Sequence, residues 1–233
     1  MVTMAMEACL ATMRNEYRAS QGGLSSLASS TVAKVLGVTG VGALVVLGAT
    51  ERLPTPTWGD DSVGRRLADL QFTTGEGPAI DAIEAGVAVF APDLADLSES
   101  RWPVFTTEAV ALHVGAVFAL PLQLGAIQIG ALVLHRDAAG PLCTSALGDA
   151  VAFADAATSM LVSAAAGALE MDDDLLGQQM VVFQATGMIS VQLDVDLAEA
   201  LIRLRAHAYG SDQMTSKVAE DVVARRLRFD DQR

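Results

Sequence analysis

A chain of 233 residues with 52% apolar and 18% charged side chains has ample material for a packed core, which excludes a disordered or fibrous protein. Its formal net charge of −13 argues against a nonspecific nucleic-acid binder, which needs clustered Lys and Arg. The acidity is uneven, however: residues 1–180 carry net −12 and residues 181–233 only net −1. Cys9 and Cys143 fit no metal or disulfide spacing, so a reducing cytoplasm is the expected compartment. The opening MVTMAMEACLATMRNEYR has no basic start and carries Glu7, which argues against a secretory signal.

In chain order, helical spacing runs over 5–18 and is broken at Gln21–Gly22–Gly23. Ser25 or Ser26 can cap a second helix that ends at Gly37. The β-branched run 38–50 predicts a buried strand, and 51–61, with Pro54 and Pro56, predicts a loop or an edge strand. Residues 62–70 are expected to be helical. Gly75–Glu76–Gly77–Pro78 forms a turn feeding a short helix, with Pro78 suited to its first turn. A short strand at 87–91 and a helix at 101–112 come next. The stretch 110–134 is apolar enough to suggest a membrane span, but Pro121, Gln123, Gln128 and His113 interrupt it. Two buried strands, 114–122 and 126–135, fit it better. From Thr144 the pattern is helical, with Leu147, Ala150, Val151, Ala154, Ala157, Leu161, Ala164 and Ala168 on one face. Strands flanked by helices and closed by a hairpin make an α+β fold.

The marker peptides DLQFTTGEGPAIDA at 69–82, RWPVF at 101–105 and AVFALPLQLGAIQIGALVLHR at 116–136 resemble a GAF domain over roughly 25–168. That resemblance implies an antiparallel-sheet sensor able to hold a small ligand between sheet and helices. The candidate ligand-binding residues are Trp58, Phe72, Glu76, Gly77, Trp102, Phe105 and Phe118; the competing reading is that these aromatics are core. The cyclic-nucleotide signature Asn-Lys-x-Phe-Asp-Glu is absent, as are a Cys-His pair for a bilin and any cysteine between Cys9 and Cys143 for a sulfoxide-reductase site. The ligand is therefore unknown, and no cofactor is implied.

Glu170, Asp172, Asp173 and Asp174 mark a boundary, giving expected domains of 1–170 and 171–233. Beyond it lie three helices. The first runs from Met180 to about Val191. The second opens at Asp196, with Glu199 at capping-box spacing, and carries a Leu197, Leu201, Leu204, Ala208 stripe. The third runs from Thr215 or Ser216 to near Leu227, with Val218, Val222 and Val223 inward. QATGM at 184–188, AEALIRLRAHAY at 198–209 and SKVAEDVVARRL at 216–227 together resemble the ANTAR domain, a small all-α three-helix RNA-binding module of antitermination regulators.

The ANTAR resemblance implies binding to paired hairpins in nascent RNA, so that a terminator does not form. The RNA-binding candidates it gives are Gln184, Thr186, Gly187, Met188, Arg203, Arg205, Lys217, Arg225, Arg226 and Arg228. Lys217, Arg225 and Arg228 are expected near one helical stripe. The sequence departs from the family pattern at Thr186, where many members have lysine. The bland alternative is a solvated face, with the cations paired to Glu199 and Asp221.

No enzyme is expected. His113, His135 and His207 lack a carboxylate or cysteine at metal-ligand spacing, the serines sit outside a nucleophile elbow, and no P-loop or dinucleotide fingerprint occurs. The combined expectation is a cytoplasmic, dimeric regulator with a GAF sensor and an ANTAR output. Two alternatives stay open: a DNA-binding regulator, because three small helices also suit a helix-turn-helix, and a protein-interaction sensor with a degenerate output.

Overall fold

Alternation along two neighbouring strands organises the first part of the molecule. In β4 (Ala116–Leu124) and β5 (Ile127–Arg136), Ala116, Phe118, Leu120, Leu122, Leu132 and Leu134 are buried in one apolar cluster. Val117, Ala119, Ala131 and Val133, the residues between them, are buried in a second. Both faces of the hairpin are covered, so no polar residue is needed at alternate positions. This is why 110–134 looks like a membrane span in sequence while forming the end of a helix and a β-hairpin.

The computed structural model describes residues 2–20, 24, 27–47, 53–59, 61–97, 101–163 and 173–229. It divides into two compact units, Met1–Asp172 and Asp173–Arg233. In the first, five antiparallel strands lie in the order β2-β1-β5-β4-β3, with β1 at Gly40–Leu47, β2 at Leu53–Trp58 and β3 at Val89–Ala91. The proline-bearing β2 is an edge strand, where a missing backbone N–H is tolerated. The first cluster joins the sheet to α1 (Met4–Ser20), α2 (Ser29–Leu36) and α6 (Thr144–Ser163). The second joins it to α3 (Ser62–Thr74), α4 (Pro78–Ala85) and α5 (Pro103–Ala111).

Local signals account for the helix ends. Gly37, Gly75 and Gly86 close α2, α3 and α4 in the left-handed conformation, where glycine carries no Cβ penalty. Helix α6 is long and apolar enough to cross a membrane by composition, yet Ala150, Phe153, Ala154, Ala157 and Met160 are buried in the first cluster. Its buried face is turned slightly from the expected one: Phe153 is inside and Val151 is exposed. Ala164 and Ala168 lie outside the described residues, as do Glu170 and Asp172 of the acidic run.

The second unit consists of α7 (Asp173–Leu193), α8 (Leu197–Gly210) and α9 (Thr215–Val223), packed against one another. Asp196 caps α8 by accepting from the Glu199 N–H at 2.8 Å, as the spacing predicts. The cores of these helices are Val182, Ala185 and Ile189, then Ala200, Leu201, Leu204 and Ala208, then Val218, Ala219 and Val222. Leu197, expected in the α8 stripe, is instead exposed because it occupies the first turn.

Candidate functional site

The residues proposed to line a ligand cavity in the first unit do not converge on one site: Trp58 and Phe118 lie on one side of the sheet, and Trp102 and Phe105 meet on the other. Trp58 packs with the first cluster, stacking on Phe153 at 5.6 Å between ring centroids and donating its Nε1–H to the Leu27 carbonyl at 3.0 Å. Phe118 belongs to that cluster, edge-on to Phe90. Trp102 and Phe105 belong to the second, across the sheet, and meet edge-to-face at 6.1 Å. Phe72 is buried on α3. The sheet divides the set, and the aromatics are core.

Glu76 and Gly77 also have structural duties. The Glu76 Oε1 accepts the Val104 and Phe105 N–H groups at 2.7 and 2.8 Å, which caps the exposed start of α5. Gly77, at φ 132°, approaches Gln71 so closely that a Cβ would stand 2.6 Å from that side chain. The room is needed, because the fully buried Gln71 caps α4 by accepting the Ala79 N–H at 2.7 Å. The Gly75–Pro78 turn thus lies between two capped helix starts, those of α4 and α5.

One contact in this unit escapes the linear pattern. His135 is not isolated: its Nε2 lies 3.0 Å from Asp61 Oδ1, 74 residues away in sequence. Pairing of β1 with β5 sets Gly40 opposite His135, and a Cβ on Gly40 would collide with both partners. Asp61 also caps α3 through the Gly64 N–H. Burial opposes ionisation of Asp61, but the His135 and Gly64 hydrogen bonds and the charges of His135 and Arg65 outweigh it and hold the carboxyl below its ordinary value. No group of three or more metal-ligating side chains occurs among the described residues.

In the second unit a groove of about 710 Å³ opens beside α7, lined by Gln184, Gly187, Met188, Val191, Gln192, Arg225 and Arg228. Positions 184, 187, 188 and 191 recur on one helical face. Gln184 and Val191 are exposed, the latter by 84%. Gly187 forms an open stretch of wall where an added Cβ would meet nothing within 4 Å. The opposing cations come from beyond α9. Five of the ten sequence-predicted RNA residues therefore share this groove. Val191 and Gln192 join them without having been expected, although their spacing from Gln184 and Met188 carries the signal.

The other five lie elsewhere. Thr186 is buried and donates its Oγ1–H to the Val182 carbonyl at 2.8 Å, so it faces the helix packing and not the groove. Arg203 pairs with Glu199 at 2.7 Å, Lys217 with Glu220 and Asp221, and Arg226 with Asp221. These pairs are the bland alternative realised for three cations. Arg205 is half-buried on α8, and burial lowers its guanidinium to about 10. The stripe of Lys217, Arg225 and Arg228 does not exist, because α9 stops at Val223 and Arg225 turns left-handed at φ 59°.

No family model and no curated protein matches the chain. Among solved structures, the GAF domain of an Acinetobacter phosphoenolpyruvate-protein phosphotransferase is similar over 72% of this chain and 99% of its own, at 15% identity and a TM-score of 0.50. The corresponding GAF domain from Coxiella burnetii covers 71% of this chain and 98% of its own, at 17% identity and a TM-score of 0.52. With an antiparallel five-stranded sheet held between two helical layers, the first unit has a GAF-like α+β fold.

Proposed function

We propose that this chain is a signal-responsive transcription antitermination regulator, in which the GAF-like unit senses and the ANTAR-like helices bind paired hairpins in nascent RNA. The observation that carries this reading is the groove. Gln184, Gly187 and Met188 on α7 converge with Arg225 and Arg228, some forty residues later, although sequence pattern alone selects them. The chemistry suits unpaired RNA: the Gln184 amide can both donate and accept at base edges, the Gln192 NH2 can donate, Met188 and Val191 offer apolar surface to a splayed base, and the arginines suit phosphates. Arg225 and Arg228 have no salt bridge among the described residues, unlike Arg203, Lys217 and Arg226. The acidity of the first 180 residues would discourage nonspecific binding and leave recognition to the groove.

On this reading the protein acts in the cytoplasm as a homodimer, and its input is a small ligand or a protein partner that shifts the balance between RNA-competent and incompetent states. It performs no catalysis. The test is a titration of the purified chain against a fluorescent RNA carrying two adjacent hairpins and against duplex DNA, each at two salt concentrations. Tight, salt-sensitive binding to the RNA with little to DNA is expected. Preference for duplex would make the protein a DNA-binding regulator instead. Failure to bind either, with a stable protein partner in its place, would leave a sensor with a degenerate output.

A further inference from the structure

The end of α9 is unlike the other helix ends. Arg225 N–H donates to the Val222 carbonyl and Arg226 N–H to the Asp221 carbonyl, at 2.9 and 2.8 Å. These two bonds are the Schellman closure, whose left-handed position ordinarily holds glycine. Glycine stands at the equivalent place after α2, α3 and α4, and His113, Asp194 and Asp212 stand left-handed after α5, α7 and α8. Aspartate and histidine tolerate that conformation better than most side chains. Only α9, among these described helices, closes on an arginine, at φ 59°. Nothing about helix termination asks for arginine there.

The segment beyond the turn is fastened at three points. The Arg226 guanidinium grips Asp221 Oδ1, with Nε at 2.8 Å. The Phe229 N–H donates to Gln192 Oε1 on α7 at 2.8 Å. The Phe229 ring meets His207 of α8 edge-on, 5.2 Å between centroids. The chain from 225 to 229 is thereby laid back over the bundle, and the two side chains it delivers to the groove are Arg225 and Arg228.

We propose that residues 225–229 form a basic strap that holds phosphodiester groups in the groove, and that Phe229, with its seats on Gln192 and His207, positions both arginines. The proposal rests on the RNA reading of the groove and adds what makes the groove competent. The backbone strain at Arg225 is the cost of placing a guanidinium where a glycine would close the helix better.

The test uses the full chain and three readouts: melting temperature, affinity for the two-hairpin RNA, and the slope of log affinity against log salt. Arg225→Gly should raise the melting temperature by about 3 °C while lowering RNA affinity roughly tenfold. Phe229→Ala should flatten the salt slope by roughly 1.4, the loss of two phosphate contacts on a single strand. It should add nothing further in an Arg225→Gly, Arg228→Ala background, and Phe229→Tyr should restore the slope. Wild-type slope and affinity in Phe229→Ala would overturn the strap while leaving RNA binding intact. A chain that ignores the RNA is titrated with inorganic pyrophosphate, following the Gly187 and Met188 amides by NMR. Shifts that vanish in the double arginine variant would keep the strap and sink the RNA reading; no shifts would sink both.

Discussion

In the first unit, the polar side chains that sequence places near the sheet are occupied by the fold: Glu76 holds the start of α5, Gln71 the start of α4, and Asp61 both α3 and His135. In the second unit, Gln184, Arg225 and Arg228 reach a groove with no salt bridge or side-chain hydrogen bond among the described residues, and Gly187 leaves space that nothing fills. The difference separates two kinds of conspicuous residue. An aromatic in an apolar chain is drawn inward by burial alone, so its presence says little about ligands. A glycine or a left-handed arginine that makes its helix less stable has no such explanation from packing.

The largest effect should come from the residue that most clearly belongs to packing. Phe105 is fully buried in the second cluster, so Phe105→Ala should lower the stability of the first unit by about 3–5 kcal/mol in denaturant unfolding. A cost below about 1 kcal/mol would mean that Phe105 lines an open cavity, and the contrast between the units would weaken. Glu76→Ala should cost less, about 1–2 kcal/mol, because two backbone N–H groups at the start of a nine-residue helix lose their acceptor. Glu76→Gln keeps an acceptor oxygen and should recover most of it; equal loss in both would point to a role for the charge itself.

A smaller effect should appear only with pH. The folded carboxyl of Asp61 sits below its ordinary value, so its contribution is complete above about pH 4 and is lost as pH falls through the folded value. Asp61→Asn preserves a good N-cap but cannot titrate. Its stability should therefore vary less than that of the wild type on the acid side, measured as unfolding free energy between about pH 5 and pH 2. Identical acid limbs would show that the His135 contact does not favour the ionised form.

How legible a feature is in the sequence depends on the range of the interaction that makes it. Gly37 and Asp196 act on their own neighbours, and the helix boundaries they set are visible in the linear pattern. The Asp61–His135 contact depends on β1 pairing with β5 and cannot be seen from spacing. Thr186 is misplaced by pattern because a helix one residue out of phase exchanges a surface position for a buried one. The early end of α9 is hidden for a related reason: Arg225, Arg226 and Leu227 are good helix formers, and no glycine or proline announces the turn. Leu227 and Arg226 nevertheless both donate to the Asp221 carbonyl, because the tail gains its seat on Gln192 and His207.

The smallest expected change is the sharpest test of the contrast. Gly187 lies inside α7, where glycine is about 0.5–1 kcal/mol less favourable than alanine, and a Cβ there would touch nothing in this chain. Gly187→Ala should therefore stabilise the second unit slightly, seen as a higher melting temperature. If RNA approaches the helix closely at this point, the same methyl group narrows the groove, and hairpin affinity should fall while stability rises. Opposite signs in the two measurements are hard to obtain from a purely structural residue. A variant that gained stability and kept full affinity would leave Gly187 without a role in the groove, and the contrast between the units would then rest on Arg225 and Arg228 alone.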